Sequence, residues 1–191
     1  MATVATNPQR VDGPWLEGFV LDRHVLSSRP LGYLGEHMQF DTTRSPLGEL
    51  VYQLKYRHGQ VDDIVETAAA FVRERLEGSV DCVVPSPPSL HRARQPVMLI
   101  ADGLATSLGI PMLTNAIEKT TATPQMKNVP LHEREPLLTE AIQPGTDAVQ
   151  NRRILLIDDL WETGSTLRRV AEVLMNMGAS EVRALAMTRT K

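Results

Sequence analysis

Hydrophobic residues form short continuous runs in three parts of the chain, and each run predicts a buried strand. These runs are SVDCVVP (79–85), RRILLID (152–158) and EVRALAMTR (181–189). Apolar residues three or four positions apart predict helices at 95–109, ending at Gly109, and at 163–178, ending at Gly178. This alternation predicts an α/β fold whose parallel sheet is covered by helices, with right-handed crossovers.

The first 45 residues have a less regular pattern. Residues 1–14 are polar, contain two prolines and predict a loose arm. GFVLDRHVL and YLGEHMQF predict two strands of a small peripheral sheet, with SSRPLG as the turn between them. We therefore predict one domain over residues 15–191, with a peripheral or hood segment at 15–45 and a core at 46–191.

Two amphipathic helices are predicted to open the core. SPLGELVYQLKY begins with Ser45 as an N-cap and Pro46 in the first helical position. VDDIVETAAAFVRERL follows, with acidic residues early and arginines late. IPML predicts a short strand after the 95–109 helix. The polar segment at 115–150 shows little periodicity, which is typical of a functional or mobile segment.

Bulk properties narrow the classes of function. The net charge of -3 gives no basic footprint for nucleic acid, so we expect no nucleic-acid partner. Cys82 is the only cysteine, which excludes an internal disulfide and a Cys-rich zinc site. The chain has no apolar run of about 18 residues and no apolar core of a signal peptide. We therefore expect a cytoplasmic protein without a membrane partner.

Unusual chemistry is concentrated in ILLIDDLWETGSTLRRVAEVL, from Ile154 to Leu174. Two adjacent carboxylates at the end of an apolar strand need partners such as hydroxyls, cations or a metal. The turn after them carries hydroxyls and opens a helix, whose N-terminus favours a phosphate. A sugar phosphate would satisfy both halves. The alternative is that Thr163 or Ser165 caps the helix and both aspartates are solvated.

ILLIDDLWETGST closely resembles the phosphoribosyl-pyrophosphate (PRPP) motif of type I phosphoribosyltransferases. The resemblance implies a central parallel sheet of about five strands flanked by helices, with a variable N-terminal hood. It also implies that Asp158 and Asp159 hold the ribose hydroxyls. The implied 5′-phosphate loop consists of Glu162, Thr163, Gly164, Ser165 and Thr166, and the implied catalytic set is Asp158, Asp159 and Glu162.

The resemblance extends to two further loops. PSPPSLHRAR resembles the pyrophosphate loop, with Ser86, Arg92 and Arg94 as the binding residues. Arginine suits this role because its planar guanidinium pairs with phosphate oxygens; the alternative for both arginines is a solvated loop. EKTTATPQMKNVPLHERE lies where the family has a flexible loop, and its implied functional residues are Lys119, Gln125 and Arg134.

Within the superfamily, the chain resembles the ComF type, a competence-related and amidophosphoribosyltransferase-like group, from about Leu47 to Met187. It lacks the cysteine zinc module found in many such proteins, and RQPVML replaces their usual R-G-F-N-Q run. Glu162 stands where many relatives have threonine and resembles the acid of 6-oxopurine salvage enzymes; it faces either the base or solvent. Trp161 either stacks on a base or packs, and packing is slightly favoured.

The resemblance implies that pyrophosphate is displaced from PRPP by a nitrogen nucleophile, a nucleobase or related amine. The alternative is a regulatory or competence-related protein that binds PRPP or a nucleotide without turnover. Mg²⁺ is the implied cofactor, held mainly through PRPP with Asp158 or Asp159 as candidate contacts, and the sequence shows no direct metal cage. Family members are often dimers, so a homodimer is an open expectation without an interface pattern to support it.

Overall fold

The computed structural model describes residues 2–76, 78–88, 94–121 and 129–190. The helices are α1 (Pro46–Tyr56), α2 (Asp62–Leu76), α3 (Pro96–Leu108), α4 (Leu131–Ala141) and α5 (Ser165–Asn176). The strands are β1 (Gln9–Arg10), β2 (Glu17–Arg23), β3 (Val25–Leu34), β4 (His37–Arg44), β5 (Cys82–Pro85), β6 (Ile117–Lys119), β7 (Ile142–Pro144), β8 (Arg153–Trp161) and β9 (Glu181–Arg189).

The central sheet has the strand order β1-β2-β9-β8-β5. Strands β2, β9, β8 and β5 run parallel, and the two-residue β1 is antiparallel to β2. Helices cover both faces, so alternate residues of β8 enter two different cores: Leu155 packs with α1, α2 and α3, and Leu156 packs with α5. Burial on both faces explains why these strands are continuous apolar runs. The predicted α/β class with a mostly parallel five-stranded sheet is confirmed.

Helices α1 and α3 agree with their sequence signals. The Ser45 hydroxyl accepts a hydrogen bond from the Gly48 amide and caps α1, with Pro46 in the first turn. Gly109 ends α3 with φ of 67°, a left-handed conformation that glycine adopts without strain. The 181–189 strand has its predicted bounds. IPML forms only a bridge, in which Met112 pairs with Val83 at the edge of the sheet.

The N-terminal prediction needs correction in three places. Gln9–Arg10 form a strand of the central sheet, and the Ala2 amide donates to Asp63 of α2, so the segment is not a loose arm. The strand in GFVLDRHVL is not peripheral, because Glu17–Arg23 pairs in parallel with β9. SSRPLG is not a turn, since it lies within β3. In all three places the chain contacts a segment distant in sequence or pairs with another strand, which local propensity does not report.

The separate peripheral sheet is the hairpin of β3 and β4. Its residue pairs Pro30–Phe40 and Tyr33–Met38 lie on one face, and the tip is exposed: Tyr33 is 73% exposed and Phe40 is 57% exposed. The polar 115–150 segment contains α4 and a second small antiparallel sheet of β6 and β7. The helix was missed because Pro136 interrupts its pattern, and the strands were missed because each has only three residues. No helix in the described part of the chain is long and apolar enough to span a membrane.

Candidate active site

The two aspartates lie within β8, which continues past them to Trp161. The predicted strand end at residue 158 is therefore wrong: Asp158 and Leu160 keep their pairing with β9. Side chains alternate along a strand, so the neighbouring carboxylates point to different sides. Asp159 points toward α1, where the Lys55 ammonium contacts both of its oxygens, at 3.0 Å and 2.9 Å. Both side chains of this ion pair are largely buried, at 14% and 13% exposed.

Asp158 is held by hydrogen bonds from two directions. Its Oδ1 accepts from the Asp159 amide at 2.9 Å, and its carboxylate accepts from the Ser86 side chain. Burial, and after it the negative charge of Asp159, raise the pKa of Asp158 to about 7. The Ser86 hydrogen bond and Lys55 act against this rise. One carboxylate is thus paired with a cation, while its neighbour is placed to hold or release a proton near neutral pH.

Ser86 joins this carboxylate pair because β5 lies next to β8. The Ser86 amide donates to the Ile157 carbonyl at 2.8 Å, continuing the ladder past the last residue of β5. The residue is buried, at 2% exposed. Its predicted place beside the site agrees with this geometry, although its contact is Asp158. Phosphate binding by Ser86 stays a prediction.

The loop after β8 has a conformation that leaves the start of α5 open. Gly164 is the N-cap, with φ of 74°, and no side chain caps the helix. The alternative in which Thr163 or Ser165 caps α5 is therefore wrong; their hydroxyls hydrogen-bond each other at 3.0 Å. Thr166 lies half-buried in the first turn, and Glu162 is exposed. Amide groups at an uncapped helix start are a binding surface for an anion.

Trp161 packs against the protein. It is 7% exposed and makes an edge-to-face contact with Trp15, with ring centroids 5.9 Å apart. A Cβ atom on Gly164 would collide with the Trp161 ring. The preference for packing over base stacking is confirmed, and the packing helps to fix the loop conformation.

Two arginines hydrogen-bond to the same loop. The sequence predicted only one of them as a site residue. Arg134 of α4 is 8% exposed; its Nε donates to the Val129 carbonyl at 2.8 Å and its Nη1 to the Thr163 hydroxyl at 3.0 Å. Arg168 of α5 donates to the Thr163 carbonyl at 2.7 Å. Arg134 was predicted as a flexible-loop residue and does reach the site. Arg168 was missed, although it lies one helical turn after Gly164.

The other predicted loop residues are more scattered. The Lys119 ammonium donates to the Pro88 carbonyl at 3.3 Å, which joins the end of β6 to the proline-rich loop, and burial lowers its pKa. Arg94 is exposed and donates to the His58 carbonyl at 3.4 Å, so it lies against the α1–α2 connection. Arg92 and Gln125 lie outside the described residues, so their predicted roles are untested.

Lys55 and His24 are site residues that the sequence did not identify. The His24 Nδ1 lies 3.1 Å from the Thr188 hydroxyl, which in turn donates to the Asp159 carbonyl at 3.4 Å. Burial lowers the pKa of His24, and the Lys55 and Arg44 charges lower it further, against smaller opposite effects of Asp159 and Glu49. The available signal was positional: His24 follows β2, whose end shares the carboxyl edge of the sheet with β8.

Comparison with known proteins agrees with this architecture. An adenine phosphoribosyltransferase from Leishmania tarentolae superposes with a TM-score of 0.51 at 11% identity, covering 96% of this chain and 95% of that one. The glutamine PRPP amidotransferase of B. subtilis superposes with a TM-score of 0.50 at 19% identity, covering 77% of this chain and 33% of that one. At these identities, the superpositions establish a shared fold.

Sequence comparisons are more specific. Competence protein F of Haemophilus influenzae is 27% identical over 93 residues, which cover 48% of this chain. The match spans 41% of the length of that relative. The phosphoribosyl transferase domain family matches residues 56–189, which include β5, β8, α5 and β9. Since this match covers well over half of the sequence, the chain belongs to the phosphoribosyl transferase domain family.

Proposed function

We propose that this chain binds PRPP with Mg²⁺ and transfers the phosphoribosyl group to a nitrogen nucleophile, releasing pyrophosphate. The observation that carries the proposal is the junction of β8 and α5. It places two carboxylates beside a helix start that no side chain caps. Carboxylates accept hydrogen bonds from the ribose hydroxyls, and the amides of α5 donate to the 5′-phosphate.

The chain's contribution to this reaction is positioning and charge. The C1–O bond to pyrophosphate breaks with its electron pair, the C1–N bond forms, and the nitrogen loses a proton. Positive charge builds on the sugar as the first bond weakens, and in this proposal the carboxylates of Asp158 and Asp159 stabilise that charge. Arg134 and Arg168 hold the 162–166 loop in place, so the phosphate end of the sugar is fixed during the displacement.

Magnesium fits the oxygen donors available here. Mg²⁺ is bound through one or two carboxylates together with substrate phosphates and water. Within the described ranges no group of three or more His, Cys, Asp or Glu side chains forms a metal cage. Asp158 and Asp159 are hard oxygen ligands of the type that Mg²⁺ prefers, and either would contact an ion held mainly by PRPP. The ion would supply charge neutralisation to the pyrophosphate.

Binding is tested by calorimetry with Mg-PRPP on the wild type, Asp158→Asn and Asp159→Asn. We expect each substitution to weaken binding at least about tenfold, because each removes a charged acceptor. Asp81→Asn is the matched control: Asp81 pairs with Arg153 at the opposite edge of the sheet. The PRPP proposal would be ruled out if the wild type did not bind Mg-PRPP, or if both site variants bound it as tightly as the wild type.

Turnover is tested by measuring pyrophosphate release with purines, pyrimidines and small amines as acceptors. Release with one acceptor class supports the transferase. A protein that binds Mg-PRPP but releases no pyrophosphate with any of them would instead be a non-catalytic PRPP-binding protein. The similarity to Competence protein F is the observation that favours this second candidate. Glu162→Thr is expected to change the acceptor preference if Glu162 faces the base; an unchanged profile would leave it a solvent-facing residue.

A further inference from the structure

The order of the strands separates the two sides of the proposed reaction. In a direct displacement, the nucleophile approaches the sugar carbon from the side opposite the leaving group. β5 and its proline-rich loop lie on one side of β8, and β9 and β2 lie on the other. Since the loop after β5 is the expected pyrophosphate side, the ends of β9 and β2 form the side open to the acceptor. Thr188 and His24 lie there.

His24 is held rigidly at this edge. Its amide donates to the Arg189 carbonyl at 2.7 Å, which extends the pairing of β2 with β9. The first turn of α1 packs on its carbonyl, where a Cβ on Gly48 would collide with the His24 oxygen. The Ser45 hydroxyl, which caps α1, also donates to the Arg23 carbonyl. The backbone of His24 is therefore fixed by a strand on one side and a helix on the other, and the Thr188 hydroxyl contacts the imidazole itself.

The hydrogen-bond chain at His24 favours one tautomer of the imidazole. A backbone carbonyl only accepts, so the Thr188 hydroxyl donates its proton to the Asp159 oxygen. With its proton on that carbonyl, the hydroxyl accepts from the imidazole, and we infer the tautomer with the ring proton on Nδ1. Nε2 consequently carries a lone pair. The described part of the chain provides no hydrogen-bond partner for Nε2, which leaves an oriented acceptor on a half-buried ring.

The charged groups around the ring keep it in this form. Burial and the positive charges of Lys55 and Arg44 lower the pKa of His24 and so oppose its protonation. The negative charges of Asp159 and Glu49 act in the opposite direction, but more weakly. Lys55 is itself paired with Asp159, and Arg44 lies within 3.4 Å of Glu49. A neutral imidazole with a free Nε2 lone pair recognises an N–H group and has no hydrogen to offer a carbonyl at that atom.

We propose that the ends of β2 and β9 form the acceptor-binding site, and that His24 Nε2 accepts a hydrogen bond from an N–H group of a nitrogen-heterocyclic acceptor. This inference rests on the proposed transferase function and specifies its acceptor side. His24 is then a substrate-binding residue, and Thr188 is a positioning residue that selects its tautomer. The Thr188 side chain is fully buried, in keeping with an indirect role.

The test compares substitutions that preserve different parts of the imidazole. His24→Asn keeps a polar group near Nδ1 and removes the Nε2 acceptor, whereas His24→Gln places an amide oxygen near the Nε2 position. We expect His24→Asn to raise the acceptor KM about tenfold to hundredfold, with Mg-PRPP Kd changed less than about twofold. His24→Gln should recover part of the loss. The control is His37→Asn, on the exposed hairpin.

If the wild type releases pyrophosphate, two outcomes overturn the inference. One is an unchanged acceptor KM and kcat in His24→Asn; the other is an equal loss of acceptor and Mg-PRPP binding, which indicates a purely structural role. Absence of wild-type pyrophosphate release would instead contradict the proposed function. In that case, ¹⁵N NMR of His24 in the presence of adenine, hypoxanthine or uracil decides the matter. Protonated Nδ1 and a shifted Nε2 signal support the site, and no shift with any of the three overturns it.

Discussion

Lys55 of α1 contacts both carboxylate oxygens of Asp159, a residue 104 positions later in the chain, at 3.0 Å and 2.9 Å. This pair makes the two neighbouring aspartates different from each other. Asp159 is paired with the Lys55 ammonium, whereas Asp158 accepts hydrogen bonds and lies further from that positive charge. Helix α1 thus supplies the positive charge that balances Asp159 of β8. Because α1 is far from the 154–174 motif in the sequence, the sequence alone did not indicate this pairing.

Replacing Lys55 by methionine should lower the free energy of unfolding at pH 8 by about 2–4 kcal/mol. The reason is that a largely buried carboxylate loses its counter-ion, and such losses are large compared with those at exposed ion pairs. Urea unfolding of Lys55→Met, Asp159→Asn and the double variant measures the coupling. We expect the loss of stability in the double variant to be smaller than the sum of the two single losses by at least about 1 kcal/mol. Strictly additive losses would contradict the assignment.

The raised pKa of Asp158 predicts an unusual pH dependence of the unliganded protein. A carboxyl with an ordinary pKa of 3.8 in the unfolded chain and about 7 in the fold binds more protons when folded between these values. Its contribution to stability is therefore complete below about pH 4 and is lost as the pH rises through 7. Relative to Asp158→Asn, the wild type should lose about 2–4 kcal/mol across this window.

Urea unfolding of both proteins from pH 4.5 to 8 provides the measurement. The asparagine oxygen can still accept from the Asp159 amide, so the substitution removes the titration with little change in shape. Only the difference between the two profiles is diagnostic, because other carboxylates titrate in both. Parallel profiles over the whole range would show that Asp158 titrates at its ordinary pKa in the folded protein.

The core of this fold was predictable because its strands and caps are determined locally. Leu155 and Leu156 enter opposite cores, so a strand buried on both faces appears as a continuous apolar run. Gly109 has a positive φ at the end of α3, a position where glycine is the expected residue. The aspartates and the glycine-containing loop were predictable for the same reason, since one short segment contains all of them.

Residues that enter the site from distant segments were not predictable in this way. His24 and Lys55 reach the edge of the sheet only through the packing of β2 and α1. The strand identity of Gln9–Arg10 likewise depends on β2 as a partner, and two residues carry no periodic signal of their own. Local patterns report what a segment can form, whereas the neighbour it pairs with is decided by the whole fold.

Arg134 links α4 to the loop after β8, and its replacement by methionine should affect binding more than folding. The substitution removes the guanidinium hydrogen bonds to the Thr163 hydroxyl and the Val129 carbonyl, so the 162–166 loop loses a support. We expect the Kd for Mg-PRPP to rise about tenfold, measured by calorimetry. Arg169→Met is the matched control, because Arg169 joins α5 to the Thr139 and Ile142 carbonyls without contacting the loop. Equal effects of the two substitutions on Kd would argue against a specific role for Arg134.

Gly164 is the position where the backbone and the packing both demand glycine. Its φ is 74°, and an added Cβ would meet the Trp161 ring, so Gly164→Ala combines strain with a steric clash. Gly78→Ala is the control, since Gly78 has φ of 68° and open space where the alanine methyl group would lie. We expect a loss of about 1 kcal/mol for Gly78→Ala and about 2–4 kcal/mol for Gly164→Ala by urea unfolding. Mg-PRPP binding should weaken only in Gly164→Ala, because only there must the ring and the start of α5 move apart. Equal losses of stability in both variants would show that only backbone strain destabilises Gly164→Ala. The Trp161 ring would then move aside without a measurable loss of free energy.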